Sequence, residues 1–208
     1  MSEGTDETTG REYWDARYSE SERVWSGDPN AVLVDETAGL EPGTALDLGC
    51  GEGADAVWLA RQGWRVVAAD ISAVALERAR RHAAEAGVGD RIDFQRHDLA
   101  TSFPEGGFDL VAAFFLHSWN DLPREAILRT AASRVAPGGT LLIVGHVGEP
   151  MWVEEIGAYV ELPTSAQVLE SLEPAAQEWE VLVSRERTRA HAGPGGHTAD
   201  SVVELRRR

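Results

Sequence analysis

Three closely spaced glycines, Gly49, Gly51 and Gly53, follow a β-rich run of residues and lead directly into a helical pattern. This places them at the carboxyl end of a strand, where open α/β sheets bind their ligands. Glycine suits such a turn because the backbone takes positive φ values and because a side chain would hold the ligand away. The spacing differs from the G-x-G-x-x-G of dinucleotide-binding loops, and Asp47 stands just before the turn. A carboxylate there suits a ligand with an ammonium group better than one with a pyrophosphate.

Two further carboxylates end the next two predicted strands. Asp70, 17 residues after Gly53, ends the second strand, where it can accept hydrogen bonds from both hydroxyls of a ribose. Asp98 ends the third strand, where it would lie beside an adenine amino group. A single acid at a strand end is commonly a solvated turn residue. Three acids on successive strands, with the glycine turn on the first strand, indicate a nucleoside-like ligand.

The elements that must position these residues follow a regular alternation. From residue 44 onward, short β-rich runs alternate with longer helical patterns, which predicts a parallel sheet with helices on both faces. The predicted strands are 44–48, 65–70, 92–97, 108–114 and 140–145. The predicted helices are 54–62, 73–86 (capped by Ser72) and 124–135. The sequence therefore predicts an α/β fold, a Rossmann-like doubly wound sheet of seven strands that is mostly parallel with one antiparallel strand.

The segment before this core is expected to have two parts. Residues 1–10 are polar and acidic, which predicts a flexible lead-in, and residues 11–208 are expected to form one domain. Within that domain, residues 11–40 should form a helical cap on the core of residues 44–145. Tyr13, Trp14 and Tyr18 fit one face of a short helix, and Asp28 should cap a second helix with Pro29 in its first turn.

The segment after the core changes character. Residues 146–163 are expected to be irregular, either a lid or substrate loop or a packed surface loop. Thr164 and Gln167 form a capping box that should start a helix reaching about Leu172. Strands near 179–185 and 201–206 have no helical pattern between them, so residues 179–206 should form an antiparallel hairpin.

These motifs resemble a known family. The run Asp47-Leu-Gly-Cys-Gly-Glu-Gly53, with Asp70, Asp98 and Ala136-Pro-Gly-Gly139, resembles the class I methyltransferases that use S-adenosyl-L-methionine. The antiparallel hairpin at the end of a parallel sheet is also typical of that class. More narrowly, Tyr13-Trp14, Arg17-Tyr18 and Trp25-Ser-Gly-Asp-Pro-Asn30 look like the small bacterial enzymes of the tellurite-resistance and thiopurine-type group.

The resemblance implies a cofactor site. By it, Gly49, Gly51 and Gly53 approach the methionine part of S-adenosyl-L-methionine, Asp70 holds the ribose, and Asp98 with Leu99 frames the adenine. Tyr18 and Trp25 belong to the segment that closes over the cofactor in similar proteins, although ordinary packing explains them equally well. The site is completed by neighbours of these positions: Asp47, Cys50, Ile71 and Phe114. Cys50 stands where a small residue is needed, and no surrounding pattern marks it as a nucleophile.

Two histidines are candidates for the acceptor side. Methyl transfer from a sulfonium needs mainly alignment of the reacting atoms, and a base helps only where the acceptor must lose a proton. His117 follows the fourth predicted strand and His146 ends the fifth, at the same sheet edge. Each is a candidate base, and for each a purely structural role is equally consistent with the sequence. The two lack the spacing of metal ligands, so no metal is expected.

Composition limits the classes of acceptor and partner that the protein is expected to bind. Lys and Arg number 19 against 35 Asp and Glu, a net charge of −16, which opposes a nucleic-acid acceptor and favours a small molecule. A single cysteine and the lack of a secretory pattern indicate the cytoplasm, and no apolar run approaches the length of a membrane span. Oligomeric state is not readable. Two alternatives stay open: a nucleotide-dependent oxidoreductase with a Rossmann fold, and a non-catalytic protein that binds S-adenosyl-L-methionine.

Overall fold

The helices and strands follow one another along the chain much as the alternation predicts. The computed structural model describes residues 10–116, 122–148, 151–153, 158–174, 177–189 and 198–208. The helices are α1 (Gly10–Ser19), α2 (Ala31–Thr37), α3 (Ala54–Arg61), α4 (Ala73–Glu85), α5 (Arg124–Ser133) and α6 (Ser165–Leu172). The strands are β1 (Thr44–Leu48), β2 (Arg65–Asp70), β3 (Ile92–Arg96), β4 (Phe108–Phe114), β5 (Val135–Val147), β6 (Met151–Val153), β7 (Ala158–Val160), β8 (Trp179–Thr188) and β9 (Ala199–Arg207).

The main sheet has seven strands in the order β3-β2-β1-β4-β5-β9-β8. The first five strands of that order pair in parallel, β9 runs antiparallel to β5, and β8 pairs antiparallel with β9. The predicted fold class is therefore confirmed, including the reversed strand and the terminal hairpin. The strand order reverses between β1 and β4, and the carboxyl ends at such a switch point are where open α/β sheets bind ligands.

Two apolar layers fix the sheet between its helices. Successive residues of a strand point to opposite faces, so Ala45 of β1 packs in one core cluster with Leu59 of α3, while Leu46 packs in the other with Leu128 of α5. Each of these side chains is at most 2% exposed. Packing on both faces holds the strand ends, and hence the residues that follow them, in fixed positions.

The helix starts show the expected caps with one correction. Ser72 Oγ accepts from the Ala75 amide at 3.1 Å, and Thr164 with Gln167 forms the predicted capping box at the start of α6. The prediction that Asp28 caps the second helix is wrong. Asn30 caps α2, because its backbone is extended and its Oδ1 accepts from the Val32 amide at 3.0 Å.

Several element boundaries differ from prediction, most of them by a few residues. The first helix starts at Gly10, inside the stretch expected to be a flexible lead-in, whose residues 1–9 lie outside the described residues. β5 is longer than expected because an irregular pairing with β4 between Phe108 and Leu110 lets the Ala136-Pro-Gly-Gly139 turn remain in the strand. In the stretch expected to be irregular, β6 and β7 pair as a short antiparallel ribbon. No described helix is long and apolar enough to cross a membrane.

Candidate functional site

The glycine turn after β1 is fastened to the neighbouring strand β2. The amides of Gly49 and Cys50 donate to the carbonyl oxygen of Ala69 at 2.8 and 3.0 Å. Gly49, Gly51 and Gly53 have φ values of +72°, +52° and +83°, the left-handed region that side chains disfavour. A Cβ on Gly51 would lie 2.9 Å from Tyr18 Oη, so the turn leaves room for backbone alone.

Asp70 braces this turn from the end of β2. Its Oδ2 accepts from the Gly51 amide and its Oδ1 from the Ser72 amide, both at 2.8 Å. Burial raises the pKa of this carboxyl, and the hydrogen bonds from Ser72 and Gly51 oppose that rise. Each carboxylate oxygen has a second lone pair, so Asp70 keeps acceptor capacity for a ligand.

Asp47 lies on β1 just before the turn and is 2% exposed. Its Oδ2 has no hydrogen-bond partner among the described residues. Burial, followed by the charges of Asp55 and Asp70, raises the pKa of Asp47. Asp55, in the first turn of α3, accepts from the Asn30 amide at 2.6 Å, and burial raises its pKa to about 6. Hydrogen bonds therefore satisfy the buried carboxyl groups near the turn only in part. A cationic ligand would stabilise their charged forms.

Asp98 lies on the next strand end, after β3. The Asp47, Asp70 and Asp98 positions belong to β1, β2 and the residues just beyond β3, which are adjacent strands, so all three lie at the same edge of the sheet. Asp98 Oδ1 accepts from the Ala100 amide at 3.1 Å, and the His97 amide donates to the carbonyl oxygen of Asp70 at 3.0 Å. Ile71 and Leu99 are half-buried beside these acids.

The N-terminal segment covers the glycine turn. Tyr18 of α1 is 4% exposed and accepts from Trp25 Nε1 at 3.0 Å, while Trp25 is 43% exposed. Both therefore lie over Gly51. Burial raises the pKa of the Tyr18 hydroxyl far above its ordinary value, so this group is a neutral hydrogen-bond partner.

Glu52, within the turn, holds that segment in place and was not singled out from the sequence. Its buried carboxylate accepts from the amides of Val24 and Trp25 and pairs with Arg78 of α4, Nη1 to Oε1, at 2.9 Å. Arg78 Nη2 also donates to the carbonyl oxygens of Tyr18 and Ser21. A glutamate in a turn and an arginine on a helix are usually solvated, so no sequence signal marks the contact between Glu52 and Arg78.

Asp15 makes a second attachment of the same segment. Its Oδ1 accepts from Ser72 Oγ at 2.6 Å, and its Oδ2 lies 3.2 Å from Arg96 Nη2. The residue that caps α4 is therefore tied both to Asp70 through its amide and to α1 through its hydroxyl.

His146 lies on β5 at the same sheet edge. Its ring stacks on Phe115 with 4.5 Å between centroids, and its Nδ1 lies 3.5 Å from Asp200 Oδ1 of β9. Arg189 contacts both Asp200 oxygens from Nε at 2.9 Å. The other candidate base, His117, lies outside the described residues. Phe114, assigned to the cofactor site, is buried in the core cluster that includes Leu142 and Val144.

Comparison with known proteins fits this geometry. Residues 45–139 match the family model of a methyltransferase domain. This matched region, a little under half of the chain, is similar to a methyltransferase domain, and the fold is that of class I methyltransferases. Enzymes of this class take their methyl group from S-adenosyl-L-methionine, and the matched residues include the whole glycine turn, Asp70 and Asp98. The match favours this class over the nucleotide-dependent oxidoreductase kept open from the sequence.

Curated relatives of the methyltransferase domain differ in the acceptors that their names give. A probable chloroplastic tocopherol O-methyltransferase of Oryza sativa subsp. japonica is 35% identical over 116 residues, 54% of this chain and 32% of that protein. Ribosomal RNA small subunit methyltransferase C of Alcanivorax borkumensis is 32% identical over 129 residues, 59% of this chain and 38% of that protein. The chain thus spans between about a third and two fifths of the length of these two relatives.

Solved structures share the fold of the methyltransferase domain across nearly the whole chain. One, from a study of the conversion of a disulfide bond into a thioacetal group during echinomycin biosynthesis, has a TM-score of 0.71 at 27% identity, covering 94% of this chain and 92% of that one. The DhpI complex with S-adenosylhomocysteine has a TM-score of 0.62 at 23% identity, covering 100% and 98%. At that identity the likeness shows the fold alone.

The narrower resemblance to the tellurite-resistance and thiopurine-type group stays a prediction. TehB from Haemophilus influenzae has a TM-score of 0.63 with this chain, covering 96% of it and 68% of TehB. Its sequence identity is 16%, so this likeness also shows the fold alone.

Proposed function

We propose that this protein transfers a methyl group from S-adenosyl-L-methionine to a small-molecule acceptor. The observation that carries the proposal is the buried Asp47 beside a turn of three left-handed glycines, with one carboxylate oxygen that has no partner among the described residues. An ammonium group is the natural partner for such an oxygen. The methionine part of the cofactor carries one.

The remaining contacts divide among the strand ends. Gly49 and Gly51 bring the backbone close to the methionine part, and Asp70 accepts from the ribose hydroxyls with its remaining lone pairs. Asp98, with Ile71 and Leu99, borders the adenine. The other residues of the proposed site are Cys50 and Gly53 of the turn, Tyr18 and Trp25 that cover it, and Phe114 at the end of β4.

The chemistry asks little of the protein beyond alignment. The bound cofactor supplies a methyl group on a positively charged sulfur, and that charge disappears in the transfer, so the side chains contribute chiefly by holding donor and acceptor in line. A base assists where the acceptor carries a hydroxyl, thiol or ammonium proton. His117 and His146 are the candidate bases.

Charge favours a small acceptor over RNA. The net charge of −16 repels a phosphate backbone, and the groups nearest the proposed site include Asp47, Asp55, Asp70 and Asp98. One solved relative at 27% identity comes from a study of the conversion of a disulfide bond into a thioacetal group, which is a reaction at sulfur and not on RNA. The relatives named for ribosomal and transfer RNA are matched over less than two fifths of their length, so their acceptors do not carry over.

Turnover tests the proposal directly. The purified protein is incubated with S-adenosyl-L-methionine and a panel of phenols, thiols and amines, with transfer RNA as a separate acceptor, and S-adenosylhomocysteine release is measured. We expect release with at least one small acceptor and none above background with transfer RNA. Release with RNA alone would overturn the small-molecule assignment. Cofactor binding without release under any condition would indicate the non-catalytic binding protein.

A further inference from the structure

A cluster of four side chains lies at the carboxyl end of β5 and the amino end of the antiparallel β9, at the same sheet edge as the proposed cofactor turn. The cluster consists of Phe115, His146, Arg189 and Asp200. His146 pairs with Asp200 in the antiparallel ladder, and the His146 side chain is 19% exposed while that of Asp200 is 8% exposed. Nδ1 of the imidazole lies 3.5 Å from Asp200 Oδ1, at the long limit for a hydrogen bond.

Asp200 is a fixed anion. Burial opposes its ionisation, but hydrogen bonds from His146 and Arg189 hold the pKa of Asp200 below its ordinary value. Arg189 binds this carboxylate through Nε, 2.9 Å from both oxygens, and through Nη2, 2.8 Å from Oδ1. These contacts fix the orientation of the carboxylate beside the imidazole.

Contacts lead from this cluster to the glycine turn. Phe115 stacks on the imidazole, and its backbone has φ of +48°, which turns the chain so that Leu116 lies over the turn. A Cβ on Gly49 would lie 3.0 Å from Leu116 Cδ1. Phe115 and Leu116 thus connect the His146 imidazole to Gly49, the residue that would border the methionine part of the cofactor.

We propose that His146 and Asp200 act as a base and its positioning residue, with Arg189 holding Asp200, and that the acceptor carries an ionisable hydroxyl, thiol or ammonium proton. The assignment rests on the proposed function. Asp200 orients Nδ1 and stabilises the imidazolium, the role that a carboxylate plays beside a catalytic histidine.

In the reaction, His146 takes the proton from the acceptor atom as that atom bonds to the methyl carbon. The electron pair of the broken carbon–sulfur bond stays on sulfur, which leaves S-adenosylhomocysteine. The imidazolium then gives its proton to solvent. No oxidant, reductant or metal enters the balance.

The charges around the imidazole make the assignment testable without knowing the acceptor. The charged groups beside His146 include Asp200 of β9 and, bound to Asp200, Arg189 of the segment after β8. Arg187, which pairs with Asp200 in the ladder, is bound to Asp35 at 2.8 Å. Asp200→Asn leaves the Arg189 cation beside the ring, which disfavours the imidazolium. Arg189→Gln leaves the Asp200 anion beside it, which favours the imidazolium.

The experiment uses diethyl pyrocarbonate, which acylates neutral imidazole, on the full chain over pH 5 to 8.5, with mass spectrometry of the peptide that contains His146. We expect the midpoint of its rate profile to fall by about one pH unit or more in Asp200→Asn and to rise in Arg189→Gln. Asp109→Asn, at the opposite edge of the sheet, is the matched control and should leave the midpoint unchanged. Shifts in the same direction, or an unreactive His146, would overturn the dyad.

Turnover separates a catalytic dyad from a structural ion pair. With the acceptor found in the screen, Asp200→Asn should lower kcat at least tenfold and move the acid limb of the pH profile downward, with unchanged affinity for S-adenosylhomocysteine. Asp200→Glu should recover part of the rate. Full kcat in Asp200→Asn would refute the role. Absent cofactor binding or absent release in the wild-type protein would instead refute the proposed function.

Discussion

Buried carboxyl groups dominate the proposed cofactor site, and each is held differently. Asp70 is satisfied by two amides, Asp55 by one, and Asp47 keeps an oxygen without a partner among the described residues. A ligand cation would act most strongly on the last, because burial opposes its charge most.

Replacing Asp70 tests whether this residue binds the glycine turn and the ligand, or only adds negative charge to the protein. Asp70→Ala removes the acceptor for the Gly51 amide as well as the expected ribose contacts, each worth about 1.5–3 kcal/mol for a charged acceptor. We expect affinity for S-adenosylhomocysteine to fall more than tenfold by calorimetry. The control, Asp109→Ala, alters a carboxylate that binds Thr44 at the opposite edge and should leave affinity unchanged. Equal affinity in a folded Asp70→Ala protein would remove Asp70 from the site.

The Gly51→Ala substitution tests whether ligand binding requires a residue without a side chain at this position of the turn. Its φ of +52° strains an alanine by about 1 kcal/mol, and the new Cβ would lie 2.9 Å from Tyr18 Oη. Gly87→Ala is matched, since Gly87 has φ of +71° and nothing within 4 Å of the Cβ position. Both variants should lose stability in urea unfolding, Gly51→Ala more than Gly87→Ala because Tyr18 must shift, and Gly51→Ala alone should lose cofactor affinity. Equal affinities in the two would mean that the ligand does not approach Gly51.

Asp55 makes stability depend on pH. Its pKa is about 6 in the folded protein against an ordinary 3.8, so between those values the folded state holds a proton that the unfolded chain has lost. Stability is therefore lost as pH rises through this window. Asp55→Asn should raise the free energy of unfolding at pH 7.5 by on the order of 1–3 kcal/mol, with the gain vanishing near pH 4. A gain that is the same at both pH values would contradict the shift.

At the scale of elements, buried charged and polar contacts attach residues 10–27 of the N-terminal segment to the core. Glu52 and Arg78 bind it from the turn and from α4, and Asp15 reaches from α1 to Ser72 and Arg96. These contacts join residues 26 to 81 positions apart in sequence. Local patterns predict none of them.

Glu52→Gln should loosen this segment and leave the sheet intact. The variant breaks a buried ion pair, a change that typically destabilises by about 3 kcal/mol. We expect faster amide exchange across residues 10–27 by mass spectrometry, with β1 and β4 unchanged. Glu20→Gln removes an exposed partner of Arg17 and should alter exchange little, because exposed pairs contribute at most about 1 kcal/mol. Wild-type protection in Glu52→Gln would show that other contacts hold the segment.

Sequence reasoning succeeded where one local rule decides an element. Strands β1, β2 and β4 match their predicted bounds because turn residues and buried apolar runs delimit them. It failed where tertiary contacts decide. β5 extended through a glycine turn by pairing with β4, and His146 lies beside Asp200, which comes from the distant strand β9. The misplaced cap of α2 is a local error, because Asp28 and Asn30 are both good capping residues.

At the scale of the whole molecule, the sheet gathers three acidic strand ends and a side-chain-free turn at one edge while the net charge stays strongly negative. Such a surface repels polyanions yet concentrates small cations, as the sulfonium cofactor is. Raising the salt concentration from about 0.05 to 0.5 M should therefore weaken binding of S-adenosyl-L-methionine more than that of the uncharged-sulfur product, measured by calorimetry. An equal effect on both ligands would contradict a role for the acidic edge.

The central claim is that the turn from Asp47 to Gly53, with Asp70 and Asp98, binds an adenosyl sulfonium. Calorimetry of the folded wild-type protein with S-adenosylhomocysteine and, separately, with NAD tests it most directly. We expect one binding site for S-adenosylhomocysteine and no measurable heat with NAD. Binding of NAD in preference, or folded protein with no affinity for S-adenosylhomocysteine, would contradict the claim.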